Sequence, residues 1–165
     1  YVQVCHDTCH AAVMRETAET CIENYSNAGL KIGKVQLSSA ISTPLTTEHF
    51  EDLRQLAESR YLHQATIMNN GECSFYEDLS ALTLEELCGD MRVHFHVPIH
   101  LETMGSLQTT QNDLMTSIPI LKDYGVTCWE VETYTWDVTP IAMKQDELAQ
   151  SIAKEITWAA NELNN

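Results

Sequence analysis

Three short runs of the chain place metal-type side chains at regular spacing. Asp7 and His10 stand three apart in Val4-Cys5-His6-Asp7-Thr8-Cys9-His10, across what reads as a strand-to-helix turn. There a carboxylate and an imidazole can face one divalent cation; an Asp capping the following helix gives the same pattern. His94 and His96 stand two apart in Val93-His94-Phe95-His96-Val97. Strand periodicity puts both on one face, and two imidazoles projecting together from a buried strand are costly unless ligated or hydrogen-bonded. Glu130 and Glu132 share a face of Trp129-Glu130-Val131-Glu132 in the same way, and two inward acids call for a cation or a proton. Glu132, nearer the C-terminal end, is the better metal candidate, and Glu130 a deeper partner and candidate base. Gln36, between Val35 and Leu37, is a candidate substrate contact or weak ligand, or equally an internal hydrogen-bonding residue. His63 could fold over the same mouth as ligand, substrate contact or surface histidine. Trp136 could line a pocket, packing being its ordinary role.

The elements that must hold these residues alternate between strand and helix. Apolar runs over 2–7, 30–37, 91–97 and 126–134 read as strands, each followed by an amphipathic segment: helices over 10–27, 109–124 and 145–164, with caps and glycine stops in the expected places. Residues 40–89 are too long for one strand–helix unit. They read as a helix over 46–59, a hairpin about Asn69-Asn70-Gly71 and a short helix over 78–88. Strands alternating with helices argue for a parallel sheet. The fold expected is α/β, the last four units of a (β/α)₈ TIM barrel, a single domain over 1–165 with 40–89 inserted after the second strand. Active sites of such barrels lie at the C-terminal strand ends, which is where three of the four strands carry metal-type residues. A small open doubly wound sheet is the alternative, without the glycine-rich phosphate loop that would support it.

Composition narrows the function. Nine Lys+Arg against 24 Asp+Glu give a net charge of −15, and the cations are scattered. Nucleic-acid binding normally needs a basic footprint, so no nucleic-acid partner is expected. No run approaches the roughly 18 apolar residues of a membrane span. The six cysteines include no CxxC pair and read as reduced thiols of a cytoplasmic protein. The first residue lies inside an apparent strand, so the chain reads as a piece of a longer one.

VCHDTCHAA resembles the Asp-Thr-x-His motif of the fifth strand in the xylose-isomerase-like superfamily, which includes endonuclease IV and sugar isomerases and epimerases. WEVETYTW resembles the eighth-strand motif that supplies the last metal carboxylate. With KVQLSSA, RYLHQ, HFHVPIH and TTQNDL, the run is similar to the EboE-like metabolite-traffic proteins of that superfamily. The resemblance covers nearly the whole chain but only the second half of such a member. It implies a TIM barrel in which Asp7 and Glu132 are metal ligands. His10 would be a ligand in the endonuclease-like pattern or a substrate contact in the epimerase-like one. The family's sixth-strand histidine is replaced here by Gln36, and its fourth-strand glutamate would precede Tyr1.

The function expected is that of a metal-dependent sugar or sugar-phosphate isomerase or epimerase. A divalent ion (Zn, Mn or Mg) held by Asp7, Glu132 and histidines among His10, His94 and His96 would polarise a small hydroxy-carbonyl metabolite. A carboxylate such as Glu130, or His10, would move the proton. A non-catalytic metabolite-binding protein is the rival from another class, favoured by Gln36. A phosphodiester hydrolase is the enzymatic rival, disfavoured by the acidity. A half barrel would expose two strand edges, so self-association is also expected.

Overall fold

The computed structural model describes residues 2–57, 61–82, 88–132 and 147–164. In chain order its elements are β1 (Val4–Asp7), α1 (Thr8–Val13), α2 (Ala18–Asn27), β2 (Ile32–Leu37), β3 (Ser39–Pro44), α3 (Thr47–Leu56), β4 (Ala65–Asn69), β5 (Glu72–Tyr76), a 3-10 turn at Leu79–Ala81, β6 (Asp90–Val97), β7 (Thr103–Met104), β8 (Leu107–Gln108), α4 (Gln111–Asp123), β9 (Trp129–Val131) and α5 (Leu148–Asn164).

β1, β2 and β9 form a parallel sheet with β2 in the middle. Alternation along β2 buries Val35 and Leu37 in one core with Leu114, Ile118 and Leu121 of α4 and Ala159 of α5. Gln36 therefore points to the opposite face. A second sheet, in the order β3-β6-β4-β5, is antiparallel throughout. Its apolar side, including Ile41, Ile67, Met91, Val93 and Phe95, shares a core with Phe50, Leu53 and Leu56 of α3. Each such side chain contributes roughly 1.5–3 kcal/mol on leaving water. Between the two cores lies a small cluster of Cys9, Val13 and Ala40.

The expected TIM barrel is not what these residues form. Residues 91–97, read as a third parallel strand, belong to β6, which runs antiparallel to both β3 and β4. Only Ser38 separates β2 from β3, yet the two strands join different sheets. Segment 40–89 is therefore no insertion hung on a barrel, because its strands build the sheet that captures β6. The edge of β2 that a further parallel strand would need is taken by β9. The described residues form a mixed α/β structure, with a three-stranded parallel sheet and antiparallel sheets of four and two strands.

Other expectations also change. The helix expected over 10–27 is two helices, α1 and α2. Arg15 between them adopts a positive φ of 59°, and Thr17 caps α2 by accepting from Thr20 N. The helix expected over 78–88 is the 3-10 turn Leu79–Ala81 as far as the described residues reach. The hairpin of β4 and β5 turns at Asn70 and Gly71, both with positive φ, the conformation that Asn-Gly favours. No helix among the described residues is long and apolar enough to cross a membrane.

Candidate functional site

Asp7 ends β1 and caps α1. Its Oδ1 accepts from the backbone N–H of Cys9 at 2.8 Å and of His10 at 3.3 Å, and from Ser38 Oγ at 2.7 Å. The cap thus uses one carboxylate oxygen. The other, Oδ2, accepts from Gln36 Nε2 at 3.2 Å and lies 3.8 Å from His10 Nε2 and 3.9 Å from His96 Nε2. Capping and ligation are compatible because each has its own oxygen. Thr8 secures the turn: its Oγ1 donates to Ser38 O at 2.7 Å and accepts from Ser38 N at 2.9 Å.

β6 brings the two histidines. Ser39 pairs with Val97 and Ile41 with Val93, so Ala40 alone of β3 stands opposite His94, Phe95 and His96. Such a bulge bends a strand and re-aims its side chains. His94 Nε2 and His96 Nε2 lie 3.0 Å apart, and the His10 and His94 rings are 4.2 Å apart between centroids. Two arginines fasten β6 to its neighbours. Arg92 donates to Ala12 O and pairs with Asp113, both at 2.7 Å. Arg15 reaches the carboxylate of Asp90 at 3.0 Å and its carbonyl at 2.6 Å.

The electrostatics suit a cation. Burial strips water from the charged forms of His94 and His96 and lowers each to about 4; nearby His10 pushes His94 further down, while Asp7 opposes the fall at His96. Both rings are neutral at pH 7, with a lone pair to offer. Burial pushes Asp7 up, but the Ser38 hydrogen bond and the adjacent His96 and His10 outweigh it, so its carboxyl lies below its ordinary value. Glu132 is raised, first by partial burial and then by the charges of Asp7 and Glu130, with Lys34 opposing. The His96 side chain is 1% exposed, and its Nδ1 is 2.9 Å from Glu132 Oε2.

Two ligand sets converge on His96. Asp7, His10 and His96 form the more exposed set, and Cys9, His94 and His96 the more buried one; within each set the donor atoms are within 4.8 Å of one another. A tetrahedral ion with bonds of about 2.0–2.1 Å separates its ligands by about 3.4 Å, within the span of 3.0 to 3.9 Å measured among these residues. The residues present fit a divalent cation.

Asp7, His10, His94 and His96 lie near one another, and Glu132 stands beside His96 without joining either ligand set. Gln36 is there too, with its amide donating to both Asp7 and Glu132, so it holds the two carboxylates side by side. Glu130 is not in the cluster: it is half exposed and paired with Lys34 across the strands. His63 is buried beneath β6, stacked on Phe95 at 4.7 Å, and its backbone N–H donates to Asp78. It belongs to the second core and does not reach the mouth. Trp136 lies outside the described residues. Two residues of the cluster were not singled out by the sequence. Cys9 was counted among core thiols, although it stands inside the Asp-x-x-His run. Ser38 follows the expected strand 30–37 and carries no role in the sequence reading.

No family model, no curated protein and no solved structure matches the chain.

Proposed function

We propose that this chain holds a divalent cation at His96 and uses it to bind and polarise a small hydroxy-carbonyl metabolite, in the manner of a sugar or sugar-phosphate isomerase or epimerase. The observation that carries the reading is that two ligand sets drawn from β1, α1 and β6, Asp7–His10–His96 and Cys9–His94–His96, share His96, with both β6 imidazoles neutral. Two imidazoles held this close either hydrogen-bond to each other or share a cation. A bound cation would supply Lewis-acid polarisation of the substrate oxygens. The chain supplies the rest. Asp7 Oδ2 and the half-exposed His10 ring form the solvent side of the cluster. Gln36 fixes Asp7 and Glu132 at a set separation. Glu132, raised above the ordinary carboxylate value, is suited to take up and return a proton. The resemblance of the Asp7–His10 run to isomerase and epimerase motifs supports this reaction class over phosphodiester hydrolysis, and so does the acidity of the chain.

Capture of a metabolite without turnover is the second reading. It is favoured by Glu130, the expected base, being tied to Lys34. Metal analysis and proton exchange test both. Purified protein is expected to carry close to one zinc-like ion per chain, and His96→Ala to lose it while its circular dichroism is retained. Incubation with aldose and ketose phosphates in D₂O is expected to put deuterium on the carbon beside the carbonyl. Metal-dependent binding with no deuterium incorporation would favour capture. Absence of stoichiometric metal from folded protein would overturn both readings.

A further inference from the structure

Cys9 lies in the first turn of α1 and is fully buried. Its backbone N–H is held by Asp7 Oδ1 and by Ser38 Oγ, which fixes this turn of helix against the end of β2. Its sulfur lies close to His94 and His96 of β6; burial and then the charge of Asp7 push the thiol well above its ordinary value, and the backbone N–H of Phe95, the residue between the two histidines, acts against them. The bulge opposite Ala40 makes this contact intelligible, since residues at a bulge are left out of the regular strand ladder. Cys9 Sγ and one nitrogen each of His94 and His96 lie within 4.8 Å of one another. A cysteine that only filled core volume would require neither two imidazoles nor an N–H donor. A metal-bound thiolate uses both, because the N–H dipole offsets the charge on sulfur.

We propose that Cys9 is a ligand of the cation held at His96, through the set Cys9, His94 and His96, so that the centre selects a thiophilic ion of the zinc class over magnesium or manganese. The inference rests on the metal reading above. On binding, the Cys9 S–H bond breaks, its proton passes to solvent, and the sulfur lone pair forms the bond to the cation; no oxidation state changes. Three protein donors beneath the ion leave a position open on the side of Asp7 and His10. One sulfur, two imidazoles and an open position is the ligand count of a catalytic zinc site; structural sites fill all four places. Asp7 and His10 then face the water or substrate oxygen that enters.

Cobalt(II) and X-ray absorption provide the test on the whole chain. The cobalt-loaded protein is expected to show a thiolate-to-cobalt charge-transfer band in the near ultraviolet. The zinc-loaded protein is expected to show one sulfur neighbour at about 2.3 Å. Cys5→Ser, at an exposed thiol near Gln36, should keep both signals. Cys9→Ser should lose both and weaken zinc at least tenfold. Because the wild-type absorption spectrum decides the matter alone, a Cys9→Ser protein that failed to fold would not rescue the idea. A folded protein binding one cobalt with no charge-transfer band, and zinc with only nitrogen and oxygen neighbours, would overturn the assignment of Cys9 and leave the centre at His96 standing. A folded protein that binds neither ion would overturn both.

Discussion

The two ring nitrogens of His96 face different partners. Nδ1 is 2.9 Å from Glu132 Oε2, and Nε2 is 3.0 Å from His94 Nε2 and 3.9 Å from Asp7 Oδ2. A carboxylate beside one nitrogen can orient a ring that presents the other to a metal, and such outer partners are worth about 10–100-fold in metal affinity. Glu132 is thus placed to orient His96. Glu132→Gln is expected to weaken zinc by about 10–100-fold, with little change in melting temperature. Isothermal titration measures this, and an affinity unchanged from wild type would refute the role. The residues of this cluster were legible because period two and strand ends specify direction. Their partners were not. Alternation put Glu130 and Glu132 on one face but said nothing of Lys34, which β2 sets beside Glu130. Gln36 reads from the sequence as a substrate contact, a weak ligand or an internal hydrogen-bonding residue, and its two carboxylate partners are visible only with β1 and β9 on either side of it.

β6 carries two of the ligands, and its entry depends on one glycine. Gly89 has a φ of 111°, and a Cβ there would run into the carbonyl oxygen of Met68. Its own carbonyl accepts from Leu45 N at 2.8 Å. A non-glycine residue would combine a left-handed backbone with a steric clash against main chain, costing about 1–3 kcal/mol. Gly89→Ala is therefore expected to lower the melting temperature by roughly 3–10 °C and to loosen metal binding through β6. Thermal denaturation followed by circular dichroism checks it; a melting temperature within one degree of wild type would contradict it (about 1 °C being below the effect of even ~0.5 kcal/mol). From the sequence Gly89 read as a helix stop. The strand after it was legible in Val93, Phe95 and Val97, but period two is the same for parallel and antiparallel strands. The direction of β6 was decided by β3, whose Ser39-Ala40-Ile41-Ser42-Thr43-Pro44 carries too little apolar alternation to announce a strand. That one unread strand is what draws β6 out of the expected barrel and into an antiparallel sheet.

On the scale of the molecule, two cores meet across the Cys9, Val13 and Ala40 cluster, and the histidines buried near that junction couple stability to pH. His94 and His96 are lowered to about 4, and His6, desolvated beside Tyr25, is lowered as well. In the unfolded chain a histidine titrates near 6.5. Between those values the unfolded state takes up protons that the folded state refuses, so stability falls as pH falls from about 6.5 toward 4. Glu132 acts in the opposite sense: its raised value means the folded state keeps a proton that the unfolded chain has released, which costs stability as pH rises past the ordinary carboxylate value. Asp7 lies below its ordinary value, so its contribution is present throughout this window and is lost only in stronger acid. Three histidines outweigh one glutamate. Discounting for solvent around half-buried His94, acidification from pH 7 to 5 is expected to cost about 2 kcal/mol, or roughly 4–8 °C in melting temperature. Melts in the presence of a chelator at pH 7, 6 and 5 measure this. His94→Gln and His96→Gln together should flatten the dependence, and a wild-type melting temperature that held level or rose toward pH 5 would show that the histidines are not buried neutral at this junction.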